Sequence, residues 1–236
     1  MGVLATIYYI YIVLVPLALY LLTWEQLIIS YLVFWVLGDF IHGLFLHRWA
    51  AHKLWSPPIW LQNSLSLVST ASLVGTPITW SAWHRTHHHY ADTKKDPHSP
   101  KYKSWAYILF KSYFHFAEPK RCADRFRNKF ITQVTKHIGG VALVINLILF
   151  LSLEWAWFLS LWVLPVVATN LLTNWGINIL CHPKGKIKNR LELYPIIFNE
   201  CYHKDHHVEP ALRYYKYDFW VSMITLLGWS KSERSS

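Results

Sequence analysis

The sequence predicts an all-α membrane protein in which four transmembrane helices form two hairpins beneath a cytoplasmic helical cap. The composition is the first observation, because 53% of the 236 residues are hydrophobic, 17% are aromatic and only 15% are charged. Soluble domains usually carry more charge than this. The second observation is a pair of long apolar tracts, 3–46 and 138–181, and the third is that Lys and Arg avoid both tracts. Together they predict one integral-membrane domain over residues 1–236.

Each apolar tract is about twice as long as one crossing requires, since roughly 20 residues span a bilayer core. We therefore expect two helices in each tract, with turns near Glu25 and Glu154. The predicted spans are residues 3–23, 27–46, 138–153 and 156–178, which leaves 47–137 and 182–236 outside the membrane. The first span has no basic residues before it, so we expect it to be retained rather than cleaved as a signal peptide.

The basic residues predict the orientation of these helices. All 23 Lys and Arg lie either between Arg48 and Lys136 or between Lys184 and Arg234. By the positive-inside rule both segments face the cytoplasm, as do both termini. The formal charge of +10 then lies beside anionic headgroups. A nucleic-acid partner is not expected, because no recognisable binding motif accompanies the charge. The three cysteines lie on the same reduced side, which predicts no disulfide.

Three further segments are expected to build the cap. Residues 59–83 are apolar but contain many Ser, Thr, Asn and Gln. They favour a helix at the interface or packed among the spans, because a fifth crossing would move the following basic residues to the wrong side. Residues 104–116 and 217–229 are short and aromatic, which is typical of interfacial helices.

Histidines are concentrated at the predicted cytoplasmic side in three clusters. The clusters read HRWAAH from His47, HRTHH from His84 and HKDHH from His203. In a helix, positions i, i+3 and i+4 share one face, so each HxxHH cluster can direct three imidazoles into one cavity. His47 and His52 are five positions apart, about 140° on an ideal helix, so the helix must end or distort between them.

Three clusters on one side of a membrane indicate metal binding rather than chance. Neutral imidazole is a ligand for Fe, Zn, Cu and Ni, and eight or nine imidazoles exceed what one ion can use. The sequence therefore predicts a histidine-rich site for two metal ions. The alternative, an incidental surface cluster, would have to explain all three groups at once.

The order HxxxxH, HxxHH, HxxHH, with apolar hairpins before and between the clusters, resembles the integral-membrane fatty-acid desaturases. The resemblance is closest to the Δ9-type acyl-CoA and acyl-lipid branch, and it includes the segment WHRTHHHY and the following DPHSP. It extends over nearly the whole chain. The chain departs from many relatives in having Asn199, Glu200, Cys201 and Tyr202 before the third cluster, where a Gly-Glu-Gly type of approach is common.

The resemblance implies a metal-ligand set of nine histidines and a water-mediated contact from Asn178. The implied ligands are His47, His52, His84, His87, His88, His182, His203, His206 and His207. His89 and His98 adjoin the second cluster but fall outside the ligand pattern.

Other polar residues are candidates for supporting roles. Asp39 and His42 lie within the second span, where ionisable residues are costly and usually functional, although they could simply pair with each other. With Glu200, they are expected to support metal ligands without binding metal. Five basic residues near the clusters could instead attract a phosphate-bearing head group or an acidic electron donor. These are Arg48, Lys53, Arg85, Lys94 and Lys95.

The implied activity is that of an oxidoreductase, an O2-dependent fatty acyl desaturase that forms a cis double bond. No side-chain acid or base can remove hydrogen from an unactivated methylene, so an oxidant is required, and the resemblance supplies two Fe ions with O2 as co-substrate. The implied partners are a CoA- or lipid-linked acyl chain, the bilayer and an external electron donor, a cytochrome-b-type protein or a ferredoxin.

Three other functions compete with this one. A hydroxylase or oxidase of the same histidine-rich superfamily would yield an alcohol rather than an alkene. A zinc protease is disfavoured because no HExxH is present. A metal transporter or another metal-binding membrane protein would need ionisable residues within several spans, whereas here only Asp39 and His42 lie within one.

Overall fold

The computed structural model describes residues 2–111, 119–210 and 218–229, and every regular element in these ranges is helical. This agrees with the predicted all-α class. The helices, numbered in chain order, are α1 (Gly2–Leu21), α2 (Trp24–Ala51), α3 (Ile59–Ala71), α4 (Pro77–Tyr90), α5 (Lys129–Lys136), α6 (Ile138–Ser152), α7 (Trp155–Gly185), α8 (Tyr194–Ile197), α9 (His203–Val208) and α10 (Phe219–Leu226).

Three of these helices, α1, α2 and α7, are long and apolar enough to cross a membrane. They correspond to three of the four predicted spans. Helix α6 matches the remaining prediction in position, but its 15 residues extend only about 22 Å, less than the roughly 30 Å of a hydrocarbon core. It follows α5 after a bend of 85°, and only the two together would qualify as a fourth span.

Large apolar side chains on the outer faces of these helices are exposed. Val13 on α1, Ile28 on α2 and Leu151 on α6 are 76%, 61% and 73% exposed. Contiguous exposed apolar surface of this kind marks contact with a membrane or another protein. Between the helices the contacts are closer and partly polar, since Ser30 Oγ in α2 donates to the Ser160 carbonyl in α7 at 2.6 Å. Small hydroxyl residues allow such close helix packing.

The segment predicted as one helix over 59–83 is divided into α3 and α4 by a buried turn at 72–76. Helix α3 packs against α6, so the segment lies among the spans, as one of the two expected arrangements requires. Two side-chain amides satisfy carbonyls at the turn: Asn146 Nδ2 donates to Ala71 at 2.9 Å, and Asn170 Nδ2 donates to Ser72 at 2.9 Å. Irregular backbone among apolar helices is stable only when its polar groups are paired in this way.

Helices α2 and α7 contain long π-helical segments, over Val36–Ala51 in α2 and over Leu159–Val163 and Thr169–Asn174 in α7. π-helical turns are rare and are frequently found at functional sites. The two predicted interfacial helices are described only in part. Tyr107–Lys111 forms a short π-helical segment and Phe219–Leu226 forms α10, whereas 112–116 and Tyr217 lie outside the described residues.

Candidate metal centre

The end of α2 places His47 and His52 on the same side. The amide of His52 donates to the carbonyl of His47, five residues earlier, at 3.2 Å. This is the hydrogen bond of a π-helical turn, and it brings the two ring centroids to 5.1 Å. The distortion expected from the five-residue spacing is therefore a π-helical ending of α2.

The second cluster is carried by α4, whose start is well defined by the sequence. Thr76 is the N-cap, since its side chain accepts from the Thr79 amide at 3.3 Å, and Pro77 occupies the first turn. Proline is favoured there because its missing N–H would have no partner in the helix. The histidines of HRTHH fall in the last two turns of α4, directed towards α2 and α9.

The third cluster forms the short helix α9, and His182 lies at the end of α7. The Nε2 atoms of His182 and His203 are 2.8 Å apart, and those of His207 and His203 are 3.1 Å apart. The carboxyl-terminal part of the chain therefore returns to the ends of α2 and α4.

Together these elements collect nine imidazoles into two groups, and within each group the potential ligand atoms all lie within 4.8 Å of one another. The five-histidine group contains His47, His52, His84, His88 and His206. The four-histidine group contains His87, His182, His203 and His207. These are the nine histidines named as ligands from the sequence resemblance, brought together in two sets of a size suited to one ion each.

Three carboxylates orient imidazoles in these groups. Nδ1 of His87 is 3.0 Å from both oxygens of Asp96, and Nδ1 of His182 is 2.9 Å from Asp92. Glu200 contacts Nδ1 of His47. Burial raises the pKa of Glu200 to about 7, whereas hydrogen bonds lower the pKa of Asp92 and of Asp96. An ionised carboxylate only accepts hydrogen bonds, so Nδ1 of His87 and of His182 carries the proton and each Nε2 presents a free lone pair to its group. This is the usual arrangement of metal-binding histidines, so the donor set fits a bound metal.

Burial favours the neutral form of most of these imidazoles. Burial, with a smaller effect of neighbouring imidazoles, lowers the pKa of His52 and of His207 to about 2. The pKa values of His84, His203 and His206 are held well below the ordinary value for the same reasons. Neutral imidazole is the form that binds a metal ion, so at neutral pH these five histidines need no deprotonation to accept one.

A cavity adjoins both groups and is lined by polar and aromatic side chains. Its wall includes His84 and His87, the indoles of Trp80, Trp83 and Trp175, and Asn178. Asn178, expected to make a water-mediated metal contact, thus lines the same cavity as His84 and His87, and its amide donates to the Trp175 carbonyl at 3.4 Å.

The predicted supporting residues occupy different places. Glu200 contacts His47, whereas the carboxylate of Asp39 accepts from Asn199 Nδ2 at 3.4 Å. Of these two carboxylates, Glu200 therefore contacts a clustered histidine and Asp39 contacts an amide. His42 lines the cavity edge-on to Trp80, with ring centroids 5.1 Å apart.

The remaining histidines and basic candidates are also located. His89 is exposed, and His98 is buried against Trp175. Arg48 is buried and paired with Asp218, and Asp124 pairs with Arg85 at 2.6 Å and with Lys53 at 3.1 Å. Lys94 and Lys95 are exposed, so among the five basic candidates they and Lys53 are the most accessible.

Sequence reasoning assigned no role to Asp92 and Asp96. Both residues follow α4 within six positions, close in sequence to the second cluster. This position is a weak signal of a role at the site, because an acid that becomes buried there needs a partner. The contact between Asp92 and His182 joins residues 90 positions apart and depends on the fold.

Comparison with known proteins agrees with this site. The sequence model described as fatty acid desaturase matches residues 22–224. The sn-1 stearoyl-lipid 9-desaturase of Anabaena variabilis is 23% identical over 232 residues, covering 87% of this chain and 83% of the relative. The sn-2 palmitoyl-lipid 9-desaturase of Nostoc sp. (strain 36) is 26% identical over 239 residues, with coverages of 91% and 83%. The Delta-9 acyl-lipid desaturase 2 of Arabidopsis thaliana is 36% identical over 89 residues, 38% of this chain and 29% of the relative.

Proposed function

Because this chain belongs to the fatty acid desaturase family, we propose that it is an O2-dependent desaturase that introduces a cis double bond into a fatty acyl chain. The observation that carries the proposal is the gathering of nine imidazoles into two adjacent groups. The family is enzymatic and its named relatives are oxidoreductases. The names of three relatives support a lipid-linked acyl chain and the Δ9 position.

The five-histidine group and the four-histidine group would each hold one iron ion. Neutral imidazoles are suitable ligands for iron. When bound, two iron ions would use O2 and two electrons from an external carrier to oxidise an unactivated methylene pair. The balanced reaction takes one –CH2–CH2– unit, O2, two electrons and two protons to one –CH=CH– unit and two waters.

The chain's own residues would position this chemistry. Asp92, Asp96 and Glu200 hold three imidazoles through their Nδ1 atoms, which keeps the Nε2 lone pairs in place. Trp80, Trp83 and Trp175 form the aromatic part of the cavity wall, and Asn178, which lines the same cavity, would hold a water beside the metals.

We also propose the predicted topology for this single domain, with four spans in two hairpins and both termini and the site on the cytoplasmic side. The histidine groups lie at the ends of α2, α4 and α7, and Arg85 and Arg125 donate to the Ala50 carbonyl beside them. Exposed lysines such as Lys94 and Lys95 would then face lipid headgroups or an acidic electron donor, a cytochrome-b-type protein or a ferredoxin.

The test is expression in a host that cannot make unsaturated fatty acids, followed by analysis of its lipids. We expect new monounsaturated acyl chains with the wild-type protein and at least a 100-fold loss with His84→Ala. His89→Ala is the matched control, because His89 is exposed and outside both groups. A hydroxylated chain would show the related hydroxylase activity instead, and retained desaturation by His84→Ala would overturn the site.

A further inference from the structure

Trp80 lies one helical turn before His84 in α4 and contacts three histidines. Its indole stacks on the imidazole of His84, with centroids 4.6 Å apart and planes 17° apart. The same indole meets the ring of His47 at 5.6 Å and the edge of His42 at 5.1 Å. Trp80 is buried, with 6% of its surface exposed.

A chain of side-chain amides from α7 fixes this indole. Trp80 Nε1 donates to Asn174 Oδ1 at 3.0 Å. Asn174 Nδ2 donates to Asn170 Oδ1 at 3.4 Å, and Asn170 Nδ2 donates to the Ser72 carbonyl in the turn before α4. All of these side chains are buried, where a hydrogen bond is costly to leave unmade.

His84 differs from three other members of the two groups in how it is held. Carboxylates reach Nδ1 of His47, His87 and His182, but within the described ranges no carboxylate contacts His84. A histidine ligand needs some partner that fixes the rotation of its ring, because the direction of the Nε2 lone pair follows that rotation. For His84 that partner is the face of the Trp80 indole.

We propose that Trp80 and Asn174 form a positioning pair that fixes the imidazole plane of His84 within the five-histidine group. Asn174 sets the rotamer of the indole through one hydrogen bond, and the indole sets the ring of His84 by stacking. The pair also connects α7 to a ligand carried by α4. The inference rests on the proposed metal centre and adds two positioning residues to it.

The test measures metal binding without turnover, using cobalt(II) as a coloured probe on metal-free protein in detergent. Trp80→Phe keeps an aromatic face over His84 but removes the N–H, and Asn174→Leu keeps the size of the side chain but removes the acceptor. We expect each change to weaken cobalt(II) binding at one of two sites by about 10-fold and to shift its visible absorption bands. The double variant should match the single variants, because both changes break the same bond.

Trp55→Phe is the matched control. Trp55 is equally buried and its Nε1 donates to the Leu44 carbonyl at 3.1 Å, but it stacks on Trp229 rather than on a histidine. It should lower thermal stability and leave the cobalt(II) spectrum unchanged. The two test substitutions lie in different helices. If one variant fails to fold, the cobalt(II) binding of the other still tests the positioning pair.

Two results would overturn the positioning pair: unchanged cobalt(II) affinity and bands in a folded variant, or additive effects in the double variant. Failure of the wild-type protein to bind two cobalt(II) ions is distinguishable from these, because it would remove the proposed metal centre itself and the positioning pair with it.

Discussion

Gly176 occupies a position in α7 where no side chain fits. A Cβ built there would lie 2.1 Å from the carbonyl oxygen of Leu171, five residues earlier, at the end of the π-helical segment Thr169–Asn174. The neighbouring turn shows the same five-residue hydrogen bonding, since the Trp175 amide donates to Asn170 at 3.0 Å. The backbone fixes the positions of both the Cβ and the carbonyl oxygen, so rotating a side chain cannot relieve the contact.

We therefore expect Gly176→Ala to destabilise the protein by about 3 kcal/mol or more, because the backbone must shift to admit the methyl group. Thermal unfolding in detergent measures the effect. Gly140→Ala is the control, since Gly140 is helical and exposed, with no atom within 4 Å of an added Cβ. Equal unfolding temperatures for the two variants would contradict the described geometry.

Asp96 is a second residue whose substitution gives a sharp result. It is fully buried, and hydrogen bonds from His87 and from the amides of Asp92 and His98 lower its pKa to about 2 against the opposing effect of burial. Asp96→Asn keeps the shape but removes the charge that holds the His87 ring. We expect iron affinity at one site to fall about 10- to 100-fold, measured as iron bound per chain against a competing chelator.

Asp205→Asn provides the comparison for this measurement. Asp205 lies in α9 between the histidines of the third cluster, but its side chain is exposed. It should bind iron as the wild-type protein does. Equal losses in both variants would indicate a general effect of charge on the site rather than the orientation of His87.

At this scale the sequence predicted the nine histidines that the structure brings together, but few of the residues that contact them. The spacing within HxxHH and the resemblance together named all nine clustered histidines. The contacts of Asp92 with His182 and of Trp80 with Asn174 join residues 90 and 94 positions apart, so no local pattern could show them.

Among the elements, the 3₁₀ segment Pro119–Arg127 is held against α4 and the end of α2 by ion pairs of Asp124 and by hydrogen bonds from Arg125. Asp124 accepts from Arg85 at 2.6 Å and lies 3.1 Å from Lys53 Nζ. Arg125 donates to the Trp49 and Ala50 carbonyls. Partial burial raises the pKa of Asp124, but the Arg85 and Lys53 contacts outweigh this and lower it well below its ordinary range.

The contribution of Asp124 to folding stability should depend on pH. In the unfolded chain Asp124 takes up a proton near pH 4, whereas in the folded protein it stays ionised to lower pH. Its contribution to stability is therefore complete above about pH 4 and is lost as the pH falls further. We expect the unfolding-temperature difference between wild type and Asp124→Asn to be constant from about pH 6 to 8 and to shrink below about pH 4. A difference that persists unchanged in acid would contradict the ion pair.

The helices were predicted well where the length of an apolar tract determines their position. They were predicted less well where hydrogen bonding determines where a helix breaks or which helix type forms. The starts of α1, α2 and α7 lie within three residues of the predicted spans, but α2 and α7 continue five and seven residues beyond the predicted ends. The division at 72–76 was not predicted, although Thr76 and Pro77 form a common helix start. The extent of π-helix in α2 was not predicted either, because periodicity over apolar residues does not separate two helix types when the whole segment is buried.

For the whole molecule, the proposed topology predicts which positions are accessible from each side of the membrane. Wild-type protein should give little background with a membrane-impermeant maleimide, because Cys122, Cys181 and Cys201 are fully buried. We expect Glu25→Cys to be labelled in intact cells and Lys95→Cys only after the membrane is disrupted. Both native side chains are exposed, so a difference in labelling reports the side rather than burial, and labelling of both in intact cells would exclude the topology.

The composition of the two histidine groups has a consequence for biosynthesis. Each group takes members from α4 and from α9, and the five-histidine group also takes two from the end of α2. The five-histidine group is incomplete until His206 has left the ribosome and docked, and the four-histidine group until His207 has. In the proposed metal centre, metal insertion would therefore be the closing step of assembly. Bound ions would then link the first and last parts of the polypeptide, and removing them should loosen both ends together.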